Sequence, residues 1–328
     1  MTTQLAAITA VGGFVPETIL DNAALEKLVE TTDAWITTRT GIKERRIASD
    51  PKMATSDMTA NAILNLLESK NINPTEVDCI ILATSTPDYL LAPTAALVAK
   101  KTGLTTAFAM DLNAACSGFL FALSTGAMFI ESGRYKKVIV AGADKMSSIV
   151  NYQDRNTCVL FGDGAGAVLL EPAKEGHGLQ DNIFMTDGNG SEVLSVPAGG
   201  SLFPATVDTI AQNLHYVQQD GRTVFKNAIR GMTGACTQLL EKNNMTAEDI
   251  DWVIPHQANL RIIDAVGETL NIPKEKVKVN IQRYGNTTAA TLPLVLWDYQ
   301  NDFKPGDKIL LTAFGAGFTW GASYLIWQ

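Results

Sequence analysis

Two copies of one α/β unit follow each other in this chain, and that duplication restricts the possible folds more than any single motif does. Residues 66–83 read Leu-Leu-Glu-Ser-Lys-Asn-Ile-Asn-Pro-Thr-Glu-Val-Asp-Cys-Ile-Ile-Leu-Ala. Residues 239–256 read Leu-Leu-Glu-Lys-Asn-Asn-Met-Thr-Ala-Glu-Asp-Ile-Asp-Trp-Val-Ile-Pro-His. At an offset of 173, Leu66, Leu67, Glu68, Asn71 and Asp78 recur identically, with apolar positions matching around them. A second echo pairs Arg134–Gly142 with Pro305–Ala313 at an offset of 171. The period is far too long for a solenoid. The halves divide at 1–172 and 173–328. Each predicts helix (55–70; 222–243), strand (77–84; 250–255), helix (93–102; 258–270), strand (106–112; 277–281), helix (116–132; 286–303) and strand (137–142; 308–314). Such alternation implies a mostly parallel sheet with helices on both faces.

Composition narrows the functional classes. With 328 residues, 46% hydrophobic and 18% charged, the chain can bury one large core or two fused smaller ones. A formal net charge of −8 argues against nucleic acid as the main partner, while leaving room for a local basic patch. No apolar run approaches the ~20 residues of a membrane span. The N-terminal run Met-Thr-Thr-Gln-Leu lacks the basic and apolar regions of a signal peptide, which points to the cytoplasm. Cys79, Cys116, Cys158 and Cys236 are widely spaced and show no metal-ligand pattern, so reduced thiols are expected rather than disulfides or zinc.

Of these cysteines, Cys116 stands out. It lies in Asp111-Leu-Asn-Ala-Ala-Cys-Ser-Gly-Phe119, between a strand-like and a helix-like segment. In the first turn of a helix the backbone dipole favours thiolate over thiol, and Ala114, Ala115 and Gly118 keep the surroundings small. A buried structural cysteine is the plainer reading. The duplication changes the balance. Position 116 corresponds roughly to 286, so both begin the central helix of their unit. His256 closes the strand of the second echo, at the strand end where α/β folds bind ligands. Alone, His256 is as readily structural, and Asn286 in Tyr284-Gly-Asn-Thr-Thr288 is as readily a helix cap. Together the three imply a site.

Phe161-Gly-Asp-Gly-Ala-Gly-Ala167 superficially resembles a dinucleotide-binding loop, but strand-like Val168, Leu169 and Leu170 follow where a helix is required. A glycine-rich bend close to the core fits better. Phe314-Gly-Ala-Gly-Phe-Thr-Trp-Gly321 follows a strand and either offers a backbone N–H to an oxyanion or is a plain turn. Trp35 and Arg39 are one helical turn apart, which suits either a nucleotide patch or half-buried packing.

These runs together resemble the thiolase superfamily, and within it the β-ketoacyl-acyl-carrier-protein synthase III family, from about residue 4 to the C-terminus. The resemblance implies an internally duplicated α/β thiolase fold, with two central sheets and buried helices in five layers, αβαβα. It implies a homodimer that condenses an acyl-CoA with malonyl-acyl-carrier protein to give 3-oxoacyl-acyl-carrier protein, CO2 and CoA, with no metal or redox cofactor. Cys116 is then the acylated nucleophile, and the amides of Cys116 and Ala316 the oxyanion hole, with Ala316 where the family usually has Gly. His256 and Asn286 hold the malonyl thioester oxygen. Trp35 and Arg155 sandwich the CoA adenine, Arg39 lies near its phosphates, and Asn259 lines the pantetheine channel. Arg261 and Lys226 face the acidic carrier protein, and Ala92 and Phe161 bound the acyl pocket.

Two departures from the family pattern matter. Gly267 and Glu268 stand where family members often carry lysines after the arginine, which weakens the expected basic face. Ala92 replaces the Phe that commonly reaches across the dimer into the acyl pocket, so primers longer than acetyl are expected. Residues 195–220 are expected to cap that pocket. The chief rival is a related enzyme of specialised metabolism that takes a CoA thioester or β-keto acid as acceptor. A papain-like protease matches the order Cys, His, Asn but not the context of Cys116. A thiolase needs a second cysteine within Gly315–Gly321, which has none. A non-catalytic scaffold leaves the full Cys/His/Asn set unexplained.

Overall fold

The computed structural model describes residues 4–328; Met1–Thr3, part of the N-terminal run read above, lie outside the described residues. The principal elements run β1 (Ala6–Phe14), α1 (Asp33–Thr40), α2 (Thr55–Ser69), β2 (Cys79–Ala83), α3 (Thr94–Thr102), β3 (Phe108–Leu112), α4 (Gly118–Glu131), β4 (Val138–Asp144) and β5 (Gly164–Pro172). They continue as β6 (Gly178–Thr186), α5 (Gly221–Lys242), β7 (Trp252–Pro255), α6 (Leu260–Thr269), α7 (Thr291–Tyr299), β8 (Lys308–Gly315) and β9 (Thr319–Ile326).

The two sheets have the same order. The first is β1-β5-β4-β2-β3; the second is β6-β9-β8-β7, with Val277 bridging in parallel to Val253 where a fifth strand would lie. Pro172 ends one sheet and Gly178 begins the other. Neither sheet is mostly parallel, contrary to the expectation from alternation. In the first, β1/β5 and β5/β4 are antiparallel while β4/β2 and β2/β3 are parallel. In the second, β9 returns against β8 through the tight turn at 316–318, which forces an antiparallel pair. The predicted strand at 277–281 is a single bridge followed by the short helix Ile281–Tyr284.

Five layers result. Helices α4 and α7 lie between the sheets in one apolar core that includes Phe119, Leu123, Val140, Leu292, Val295 and Leu311. Mean apolarity explains their burial: α4 reads Gly-Phe-Leu-Phe-Ala-Leu-Ser-Thr-Gly-Ala-Met-Phe-Ile-Glu, apolar on nearly every face. Helix α2 covers the outer face of the first sheet through Met58, Ile63 and Leu66. Helices α5 and α6 cover the second through Met232, Leu239, Ile262 and Val266. The glycine-rich run at 161–167 packs close to the core as expected, but β5 begins at Gly164, so only its first residues lead into the strand; a Cβ on Gly162 would come 2.3 Å from the Tyr284 carbonyl oxygen. Among the described residues, no helix is long and apolar enough to cross a membrane.

Candidate active site

Each of the two buried helices is entered through the same turn. Asn113 Oδ1 accepts the Ala115 amide at 3.1 Å, and Asn286 Oδ1 accepts the Thr288 amide at 2.9 Å. Ala115 (φ +48°) and Thr288 (φ +51°) are both left-handed, and a single 3-10 turn then leads into each helix. The 173-residue offset therefore pairs Asn113 with Asn286 and Cys116 with Ala289, rather than Cys116 with Asn286. A non-glycine residue in this region stores strain, and for β-branched Thr288 the conformation is a genuine outlier.

Cys116, His256 and Asn286 are all buried and all line one cavity of about 460 Å³. Its walls toward the surface include Arg39, Asn259 and Arg261. Cys116 also lines a second cavity of about 520 Å³ with Phe161, Met146, Ile149, Val196, Val217 and Ala316. The thiol thus stands at the junction, and Phe161 borders both spaces. Val196 and Val217 bring the ends of the 195–220 segment to that second cavity.

The electrostatics differ from the expected resting thiolate. Burial pushes the Cys116 thiol up to about 12, the Asp144 charge adds to this, and the hydrogen bond from its own amide opposes it. The resting group is a thiol, and the helix end acts on it as charge develops. Burial also pushes His256 down to about 3, so the imidazole is neutral. Its Nδ1 meets Thr291 Oγ1 at 2.7 Å. Asn286 is gripped through its main chain: its amide donates to the Leu160 carbonyl at 2.9 Å and its carbonyl accepts from Gly162 at 3.0 Å. Gly285, at φ +64° and ψ −156°, makes that entry possible, a conformation open mainly to glycine. With Oδ1 occupied by the Thr288 amide, the Asn286 NH2 group is left as the outward donor.

The other predicted residues fall in three places. Trp35 is half-buried on α1, with the guanidinium carbons of Arg39 and Arg155 at 4.7 and 5.0 Å from its ring centroid. Asn259 caps α6, accepting from the Arg261 amide at 2.9 Å, and Arg261 stacks on Phe225 at 5.2 Å. Lys226 is exposed on α5 beside Arg222 and Arg230, which the sequence reading passed over although their spacing of four puts all three on one helical face. Ala92 is exposed on a loop with Tyr89, Leu90 and Leu91 and borders neither cavity of its own chain. Among the described residues, no group of three His, Cys, Asp or Glu is arranged to hold a metal ion.

Comparison with known proteins decides the family. Residues 110–188 match the model of 3-oxoacyl-[acyl-carrier-protein] synthase III, and residues 240–327 match that of its C-terminal region. A β-ketoacyl-[acyl-carrier-protein] synthase III of Phocaeicola vulgatus is 52% identical over 322 residues, covering 98% of this chain and 96% of that protein. The chain belongs to the β-ketoacyl-acyl-carrier-protein synthase III family. A synthase III of Chlorobaculum tepidum is likewise 52% identical over 327 residues, 98% of this chain and 99% of that one. The crystal structure of the synthase III of Aquifex aeolicus superposes with a TM-score of 0.90 at 44% identity, covering 98% of this chain and all of that one. The five-layer arrangement is the thiolase fold of the synthase III family, and the protein is a condensing acyltransferase.

Proposed function

We propose that this enzyme transfers an acyl group from CoA to Cys116 and condenses it with malonyl-acyl-carrier protein, releasing CO2 and forming 3-oxoacyl-acyl-carrier protein. The observation that carries this reading is the shared cavity of Cys116, His256 and Asn286, whose wall includes Arg261 near the exposed cations of α5.

In the first step Sγ of Cys116 attacks the acyl-CoA thioester carbonyl. The C–S bond to CoA breaks, and the thiol proton ends on the departing CoA sulfur. One thioester replaces another, so no strong acid is needed. The amides of Cys116 and Ala316 receive the carbonyl oxygen. Ala316 borders the second cavity beside Cys116, and Gly315 before it packs on the Cys116 amide. Trp35, Arg39 and Arg155 would hold the CoA nucleotide. An adenine between Trp35 and Arg155 requires the guanidinium to move from its present stack on the ring.

In the second step the malonyl C–CO2 bond breaks, and its electron pair forms an enolate at the thioester. The NH2 of Asn286 and Nε2–H of His256 stabilise the oxygen, and the enolate carbon attacks acyl-Cys116. Collapse of the tetrahedral adduct releases the Cys116 thiolate, which takes a proton from solvent. Neutral donors in a buried site suit a charge that develops on the oxygen only as CO2 leaves; losing one such donor costs roughly 2.7–4 kcal/mol. The same neutrality follows from burial of His256.

The acyl chain would occupy the second cavity. Its volume of about 520 Å³ exceeds what acetyl fills and supports a longer primer. Ala92 bears on chain length only through a second copy of the chain, so that reading rests on a homodimer, for which exposed Leu90 and Leu91 provide an apolar surface. The halves 1–172 and 173–328 serve as nucleophile half and donor half. For the acceptor, Arg222, Lys226 and Arg230 restore the basic face that Gly267 and Glu268 weaken, which favours an acidic carrier protein over the CoA-thioester or β-keto-acid acceptors of specialised metabolism. A panel of acyl-CoA primers assayed with malonyl-acyl-carrier protein and with malonyl-CoA tests both points. Turnover with malonyl-CoA alone would replace the carrier protein as acceptor, and a clear acetyl preference would reject the longer primer.

A further inference from the structure

Asp144, the last residue of β4, is fully buried and takes part in no step described above. Its Oδ1 accepts from Thr84 Oγ1 (3.1 Å), the Ser85 amide (2.7 Å), and the amide and Oγ1 of Thr86 (both 3.0 Å). Its Oδ2 accepts from Thr288 Oγ1 and from the Ala289 amide (3.2 Å). One carboxylate therefore ties the loop after β2 to the turn that follows Asn286. No Lys or Arg among the described residues pairs with it, so only these hydrogen bonds work against the cost of burial, which still holds the carboxyl above its usual pKa.

The residue it holds is the strained one. Thr288, at φ +51°, donates its amide to Asn286 Oδ1. Its carbonyl oxygen lies 3.0 Å from Thr291 Oγ1, the Nδ1 partner of His256, and the one hydroxyl proton of Thr291 can go to either. Asn286 is thus oriented by Thr288 directly and His256 by Thr291, which packs against the Thr288 carbonyl, and Thr288 would be expected to relax without an anchor.

The internal repeat supplies an independent comparison. The 171-residue offset carries Asp144 onto Gly315, and the 173-residue offset carries Ala289 onto Cys116. At the nucleophile turn, then, a glycine occupies the place of the aspartate. A Cβ on Gly315 would already come 2.8 Å from the Cys116 nitrogen, so a carboxylate there would cover the amide proposed for the oxyanion hole. At the donor turn the same position is filled, and its carboxylate caps the Ala289 amide. The position stays bare where an oxyanion binds and is occupied where side-chain donors are aimed.

We propose that Asp144 is a positioning residue for the condensation step: through Thr288 it fixes Asn286 and the Thr291–His256 pair, and it is not required for acyl transfer to Cys116. The proposal rests on reading His256 and Asn286 as the enolate donors. The test separates the half-reactions, following acylation of Cys116 by acyl-CoA with mass spectrometry and release of CO2 by pre-acylated enzyme. Asp144→Asn and Thr288→Gly are each expected to slow CO2 release roughly tenfold to a hundredfold, and in Thr288→Gly, which keeps the Asp144 charge beside Cys116, acylation stays within about threefold. Thr288→Ser, which keeps the hydroxyl, is expected to preserve both steps. Because glycine adopts positive φ without strain, Thr288→Gly folds even if Asp144→Asn does not. Equal loss of both half-reactions, or unchanged CO2 release in Thr288→Gly, overturns the proposal. Asn286→Ala serves as the control. If it leaves CO2 release intact, the donor assignment itself fails, and the proposal with it. If it abolishes CO2 release, the donor assignment stands, and the Asp144 and Thr288 variants then decide the positioning role.

Discussion

Thr291 Oγ1 stands 2.7 Å from His256 Nδ1 and 3.0 Å from the Thr288 carbonyl oxygen, with a single proton to give. If it donates to Thr288, Nδ1 must carry the imidazole proton and Nε2 becomes an acceptor. If it donates to Nδ1, Nε2 carries the proton and can stabilise an enolate. The shorter contact favours the second arrangement. Thr291→Val, which removes the choice, is expected to reduce condensation by about tenfold or more while acylation of Cys116 proceeds. Thr291→Ser should behave as the parent. Comparing CO2 release from pre-acylated enzyme checks this, and an unimpaired valine variant would dismiss the role.

Gly315 has no room for a side chain. An ideal Cβ there lies 2.8 Å from the Cys116 nitrogen and 3.0 Å from the Ala114 oxygen and Ser117 nitrogen, all main-chain atoms that cannot swing aside. Gly315→Ala is expected to lose both half-reactions and to destabilise the fold by about 1–3 kcal/mol. Thermal melting together with the acylation assay measures the two effects, and a fully acylating variant would contradict the packing.

His256 links acid stability to burial. Its pKa is pushed from 6.5 down to about 3 by desolvation, so below pH 6.5 the unfolded chain takes up a proton that the native protein refuses. Stability is expected to fall as pH drops from 6.5 toward 3. Between about pH 6.5 and 5, above the usual carboxylate range, His256→Gln should flatten that fall. Identical slopes of melting temperature against pH in the two proteins would count against a buried neutral imidazole.

Arg222, Lys226 and Arg230 share an exposed face of α5 and enter no ion pair among the described residues. Changing all three to Glu is expected to raise KM for malonyl-acyl-carrier protein at least about tenfold at low salt, with the gap closing as salt screens it. Acylation by acyl-CoA should change little in the variant with only Lys226 and Arg230 changed, since Arg222 also lines the cavity that Cys116 shares with Arg39 and Asn259. A KM insensitive to the triple change would place carrier docking elsewhere.

Much of the architecture was legible because the repeat is written in apolar spacing. Its two copies became two sheets of matching order. Strand direction was not legible, since β1 is rich in Ala and Gly and β5 shows strand character only at Val168–Leu170, which does not say how it pairs. Those small residues answer to tertiary packing: a Cβ on Gly12 would meet the Ala62 carbonyl oxygen at 2.3 Å. Cys116, His256 and Asn286 could be singled out because each residue type is chemically distinctive. Thr288, Thr291 and Asp144 could not, because Thr and Asp are common and their roles arise from contacts across the two halves. The paired runs Asn113-Ala-Ala-Cys and Asn286-Thr-Thr-Ala were the available signal. Aligning them at the full 173-residue offset exposes the register that the looser pairing of 116 with 286 obscured.

Because Cys116 opens onto two separate spaces, the first leaving group and the retained hydrocarbon tail need not compete for room. On the function proposed above, CoA would depart through the cavity it entered while the tail stays behind Phe161, and the incoming malonyl arm would follow the same vacated route. Such geometry favours a double-displacement order, in which initial-rate plots for one substrate at several levels of the other run parallel.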